Sequence, residues 1–80
     1  DITQERLQQV EQTEVAIKKL GFYVVRVRCV GTTARLEFEK RELAQAMLPA
    51  MLLQLETIVR TAGFSEMTID PAGYRSGSMD

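Results

Sequence analysis

The stretch that decides the fold is FYVVRVRCVGTTARLEFEK, residues 22–40. It holds two runs rich in β-branched residues, 22–30 and 33–40, and only Gly31 and Thr32 separate them. Two strand-like runs joined by two residues predict a β-hairpin. Such a turn sets a register in which Val30 opposes Thr33, Arg28 opposes Arg35 and Arg26 opposes Glu37. Because strand side chains alternate, Tyr23, Val25, Val27, Cys29, Ala34, Leu36 and Phe38 are expected on a core face. Phe22, Val24, Arg26, Arg28, Arg35 and Glu37 are expected on the other.

Helical patterns flank the hairpin. Upstream, residues 1–20 carry Leu7, Val10, Ile17 and Leu20 at helical intervals. Thr3 is placed to cap this helix, Ile2 and Leu7 have staple spacing, and Gly21 stops it behind Lys18 and Lys19. Downstream, residues 41–47 suit a short helical turn, and Pro49 suits the first position of a helix over 49–62. Met51, Leu52, Leu55, Ile58, Val59 and Ala62 share one face of that helix, with Leu53 off the stripe. Gly63 ends it, residues 65–70 read as a third strand, and Pro71 opens a terminal loop over 71–80. An internal echo, KKLGFYVVRV against RTAGFSEMTI, supports the outline. The order α-β-β-α-β predicts a small two-layer α+β domain, a three-stranded mixed sheet with both helices on one face. The third strand is expected parallel to the first.

Bulk properties narrow the function. Eighty residues form one small domain. A net charge of −1 argues against a surface that clamps nucleic-acid phosphates. The chain has no histidine, which excludes a Ser-His or Cys-His catalytic arrangement within it. Its single cysteine, Cys29, excludes an internal disulfide and a Cys-rich zinc site, and fits a reducing, cytoplasmic compartment. On the core face Cys29 reads as a small buried hydrophobe. No run approaches the ~20 apolar residues of a membrane span.

The charges raise sharper questions. Arg28 and Arg35, directly opposed, repel unless an anion or carboxylate sits between them. Either the arginines lie solvated over apolar neighbours or they hold a guest. Phe22 and Val24 on the same face call for a cover. Glu14 falls inside the apolar stripe of the first helix, where a carboxylate reaches out from the edge or finds a cation or hydrogen-bond donor. Near the C-terminus, GYRSGS (73–78) combines Gly73 and Gly77, which adopt positive φ freely, with Ser76 and Arg75. That composition fits a flexible tail, and equally a nest of backbone N–H groups that binds an anion.

RVR (26–28), ARLE (34–37), GF (63–64) and DPAGYRSGSMD (70–80), with the opening DITQERLQQVEQTE, resemble the C-terminal region of the ATP-dependent sacrificial sulfur transferases. These are PP-loop ATP pyrophosphatases that supply sulfur to a nickel-pincer nucleotide cofactor. The resemblance runs over essentially all of the chain. It implies a C-terminal domain preceded by a PP-loop domain, which would bind ATP and Mg and adenylylate a pyridinium carboxylate mononucleotide. Asp1 rather than Met at the start fits that expectation. A cysteine of the missing part would donate the sulfur; Cys29 does not occupy that position. The resemblance therefore implies no cofactor or metal within residues 1–80, and a domain catalytically silent by itself. It assigns Arg26, Arg28 and Arg75 to the substrate phosphate, Gly73, Ser76 and Gly77 to the loop backbone, and supporting catalytic roles to Glu14 and Glu37. Gln45, where the family can carry Asp, and Thr13, where Ala is common, depart from the pattern. A homo-oligomeric parent is implied. A guanidinium suits this task because its planar fork grips phosphate through two bonds and stays charged. The alternative is a non-enzymatic binding or oligomerisation module working through the arginine-bearing face. The absence of an aromatic stacking row there argues against RNA.

Overall fold

The computed structural model describes residues 3–74. Helix α1 spans Gln4–Lys18, strand β1 Val25–Val30 and strand β2 Thr33–Phe38. A 3₁₀ turn at Lys40–Glu42 runs into the short helix α2, Leu43–Ala46, followed by α3, Pro49–Ala62, and strand β3, Glu66–Ile69. The domain is α+β, with one three-stranded mixed sheet.

Local chemistry sets the helix ends. The Thr3 hydroxyl accepts the Arg6 N–H at 3.1 Å, satisfying one of the free donors of the first turn. Helix α3 starts with Pro49 and stops at Gly63, whose φ of +114° closes the last turn in the left-handed region. A side chain at position 63 would also meet Gln9 of α1, since a Cβ there would lie 2.5 Å from Nε2. Gly63 therefore serves the cap and lets α1 approach α3.

The hairpin has the expected register, including Arg26 opposite Glu37 and Arg28 opposite Arg35. Gly31, the first turn residue, has φ +61°, and no non-glycine residue among those described has positive φ. That combination suits a type II′ turn. On the core face Val25, Val27, Ala34, Leu36 and Phe38 are buried against Ile17 of α1 and Leu55, Val59 and Ala62 of α3. Each fully buried aliphatic or aromatic side chain contributes about 1.5–3 kcal/mol.

Three expectations need correction. First, the third strand lies parallel to β2 rather than to β1; the order is β1-β2-β3, with β1 antiparallel to β2. After the helical crossover the chain is received by the hairpin turn: the Ser65 N–H bonds to the Thr32 carbonyl at 2.9 Å, and the Ser65 hydroxyl to Thr32 Oγ1 at 2.8 Å. This seats β3 on the open edge of β2, while the Glu14 carboxylate bonds to an amide on the outer edge of β1.

Second, Phe22 and Tyr23 exchange environments. Phe22, expected on the open face, is 2% exposed and tilts against Phe38 with ring centroids 4.7 Å apart. Tyr23, expected in the core, is 79% exposed. The regular pleat begins only at Val25, so alternation does not extend back through residues 22–24. Third, Cys29 is half-buried near the hairpin tip, its thiol 3.4 Å from the Gly31 carbonyl, and Leu7 lies largely exposed. The buried stripe of α1 passes instead through Thr13 and Ile17.

Candidate functional site

The sheet face turned away from the helices carries an alternating row of charge. Arg28 Nε donates to Glu37 Oε2 at 3.0 Å. Arg35 Nε lies 3.9 Å from the same oxygen, and Arg35 Nη2 donates to Asp70 Oδ2 at 2.8 Å. The repulsion expected between Arg28 and Arg35 is thus relieved by a carboxylate of the same sheet. Glu37 is buried although it sits on the open face. The hydrogen bond to Asp70 is the main cause that raises the Arg35 pKa above its already high ordinary value, so Arg35 remains a cation throughout the physiological range.

Arg26 behaves differently. Glu37 opposes it in register but turns its carboxylate to Arg28, and Arg26 makes no ion pair with any described residue. It lines an open cleft of ≈ 280 Å³ together with Lys18, Tyr23, Val24, Val25 and Tyr74.

The segment after β3 is brought to this cleft by a tight turn. Asp70 Oδ1 accepts the Ala72 N–H at 2.9 Å, and the Gly73 N–H bonds to the Asp70 carbonyl at 3.1 Å. Gly73 has φ +76°, and a Cβ there would lie 2.7 Å from the Phe38 carbonyl oxygen. Only glycine fits that position on both counts. The Tyr74 N–H then donates to the Phe38 carbonyl at 2.6 Å, and Tyr74 pairs in parallel with Glu39. Gly73 therefore has the positive φ expected of it, and Tyr74 reaches the cleft of Arg26. Arg75, Ser76 and Gly77 lie outside the described residues.

The two acidic residues expected beside the site separate. Glu37 joins the arginine row. Glu14 accepts the Val27 N–H at 3.0 Å, on the outer edge of β1. Val27 occupies a position whose N–H faces away from β2, because the hydrogen-bonded pairs of this hairpin are Val30 with Thr33, Arg28 with Arg35 and Arg26 with Glu37. A carboxylate inside an apolar stripe is explained by that donor. Of the departures from the family pattern, Gln45 is exposed on α2, and the buried Thr13 hydroxyl donates to the Gln9 carbonyl at 2.7 Å.

Sequence reasoning missed Glu42, Asp70, Lys18 and Tyr74. Buried Glu42 accepts N–H groups of both Tyr23 and Val24. Asp70 before Pro71 carried a turn signal, but its grip on Arg35 depends on the pairing of β3 with β2. Among the described residues no helix is long and apolar enough to cross a membrane.

No family model matches the chain. It is 34% identical, over 80 residues, to the uncharacterized protein slr1717 of Synechocystis sp. (strain ATCC 27184 / PCC 6803 / Kazusa). The match takes in all of this chain and 30% of that relative's length.

Proposed function

We propose that this domain anchors the substrate phosphate, and helps assemble the parent, in an ATP-dependent sulfur transferase of nickel-pincer nucleotide cofactor synthesis. The observation that carries the reading is the contrast between the sheet arginines. Arg28 and Arg35 have carboxylate partners, while Arg26 stands in a cleft beside a second cation, Lys18, with its cross-strand carboxylate turned away. An arginine left in that state is available to an anion, and a phosphate is the anion a guanidinium fork fits best. The relative, of which this chain spans 30%, is long enough to hold a nucleotide-binding domain as well. In this reading Arg26 and Arg28 hold the phosphate with Arg75. Glu37 orients Arg28, and Glu14 stiffens the strand that carries both arginines. ATP and Mg belong to the PP-loop partner domain.

The oligomerisation alternative loses part of its basis, because Phe22, half of the apolar patch it required, belongs to the core. The deciding experiment uses the full-length protein. Arg26→Ala and Arg28→Ala are expected to abolish ATP-dependent sulfur transfer to a pyridinium mononucleotide while unfolding at the wild-type temperature. Normal transfer by both variants would remove the assignment.

A further inference from the structure

Asp70 links the arginine row to the wall of the Arg26 cleft through two oxygens of one carboxylate. Oδ2 accepts Arg35 Nη2 at 2.8 Å, and Oδ1 accepts the Ala72 N–H at 2.9 Å. The second bond, to the amide two residues on, closes an Asx turn and so fixes the backbone that follows. Asp70 is held through its own backbone as well: its N–H donates to the Leu36 carbonyl at 2.9 Å, and its carbonyl accepts the Gly73 N–H at 3.1 Å. Its side chain is 14% exposed, which shields both side-chain bonds from water. From this turn the chain passes through the constrained Gly73 and sets Tyr74 beside Glu39, on the lining of the cleft that holds Arg26 and Lys18. One wall of the cleft therefore depends on a carboxylate that a cation of β2 orients.

We infer that Asp70 is a positioning residue of the anion site: it sets Tyr74 against the Arg26 cleft and withdraws Arg35 from competition for the anion. Both effects favour one location on the sheet face. With the turn closed, Tyr74 bounds the cleft that Arg26 and Lys18 share. With Arg35 paired, an incoming anion gains less there, because it must displace a carboxylate already bonded to the guanidinium. Asp70 acts through Tyr74 and Arg35 rather than by touching the anion. This inference rests on the reading of Arg26 as a phosphate anchor and adds to it the residue that shapes the surroundings of that anchor.

The test is a ¹H–¹⁵N NMR titration of the 80-residue chain with inorganic phosphate, read at the Arg26 and Tyr74 amides and at the arginine Nε–H signals. Amide hydrogen exchange is measured on the same samples. In the wild type, phosphate should shift Arg26 and Tyr74 and leave the Arg35 Nε–H in place. Asp70→Ala removes both side-chain bonds, so exchange at the Tyr74 amide should rise about tenfold and affinity at the cleft should fall about fivefold. Arg35 should then respond to phosphate. Asp70→Asn keeps an acceptor for the Ala72 N–H and suits the same turn. It should return Tyr74 exchange and cleft affinity to near the wild-type values while Arg35 still responds, a split that a general loss of stability does not produce. Where Asp70→Ala fails to fold, the response of Arg35 in Asp70→Asn decides. Wild-type phosphate affinity in Asp70→Ala would overturn the positioning role and leave the anchor standing, as would an Arg35 that stays silent in Asp70→Asn. Absence of phosphate shifts at Arg26 in the wild type would overturn the anchor and the positioning role together.

Discussion

The Glu42 carboxylate lies across the start of β1, accepting the Tyr23 N–H at 3.0 Å and the Val24 N–H at 3.2 Å. This contact determines how residues 22–24 enter the sheet. Phe22 turns under the sheet onto Phe38, and Tyr23 turns out to the cleft. Glu42→Ala would leave two N–H groups without their acceptor, so a loss of about 2–3 kcal/mol in urea unfolding is expected. Glu42→Gln keeps one acceptor oxygen and should lose less. Equal stability of Glu42→Ala and wild type would show that water replaces the carboxylate without penalty.

Glu14 should act mainly on one amide. Glu14→Ala is expected to speed hydrogen exchange at Val27 well beyond its neighbours in β1 and to cost about 1 kcal/mol. Uniform acceleration along the strand would mean that the carboxylate supports the packing of α1 rather than the strand edge.

Removing the carboxylate between the arginines should expose their repulsion. Glu37→Gln is expected to destabilise the domain by about 1 kcal/mol at low salt, since Arg28 and Arg35 are both about half exposed and well screened. Thermal unfolding in rising sodium chloride should narrow the gap to wild type. A gap independent of salt would assign the loss to packing.

Gly73→Ala forces both a positive φ on a side chain and a contact with the Phe38 carbonyl. A loss of about 1–3 kcal/mol is expected, taken locally by the turn. The Tyr74 resonances should move while those of α3 stay in place, and mononucleotide binding should weaken.

Gly63→Ala separates two causes. The Cβ would meet the end of the Gln9 side chain, whose Oε1 accepts from Arg6 at 2.8 Å and can shift at the expense of that bond, whereas φ +114° stays strained. A destabilisation of about 1–2 kcal/mol is expected, and Gln9→Ala in the same chain should restore only a minor part of it. Full restoration would identify side-chain crowding as the cause.

Much of the fold was legible because its signals are local. A two-residue turn specifies the hairpin register, and Pro49 and Gly63 bracket α3 in the chain as they do in sequence. The misplacements come from contacts between distant residues. Alternation assigned Phe22 and Tyr23 to the wrong faces because Glu42, 19 residues beyond Tyr23, takes over the backbone there. The neighbour of β3 depends on Ser65 docking to Thr32, a bond that no periodicity encodes. At the site the register correctly put Arg26, Arg28, Arg35 and Glu37 on one face. Which arginine keeps a carboxylate was not legible, because Glu37 could turn to either neighbour and Asp70 joins only after the crossover.

The carboxylates of Glu14 and Glu42 have a consequence for the life of the protein in a crowded solution. An outermost strand with bare amides invites a stranger's backbone to zip alongside it, the first step towards fibrils and swapped dimers. On β1 and its approach, the amides of Tyr23, Val24 and Val27 are already claimed by side chains from within the same molecule. An intruding chain must displace these anions before it gains those bonds, so this border of the sheet is guarded in part by charge rather than by proline or a bulge.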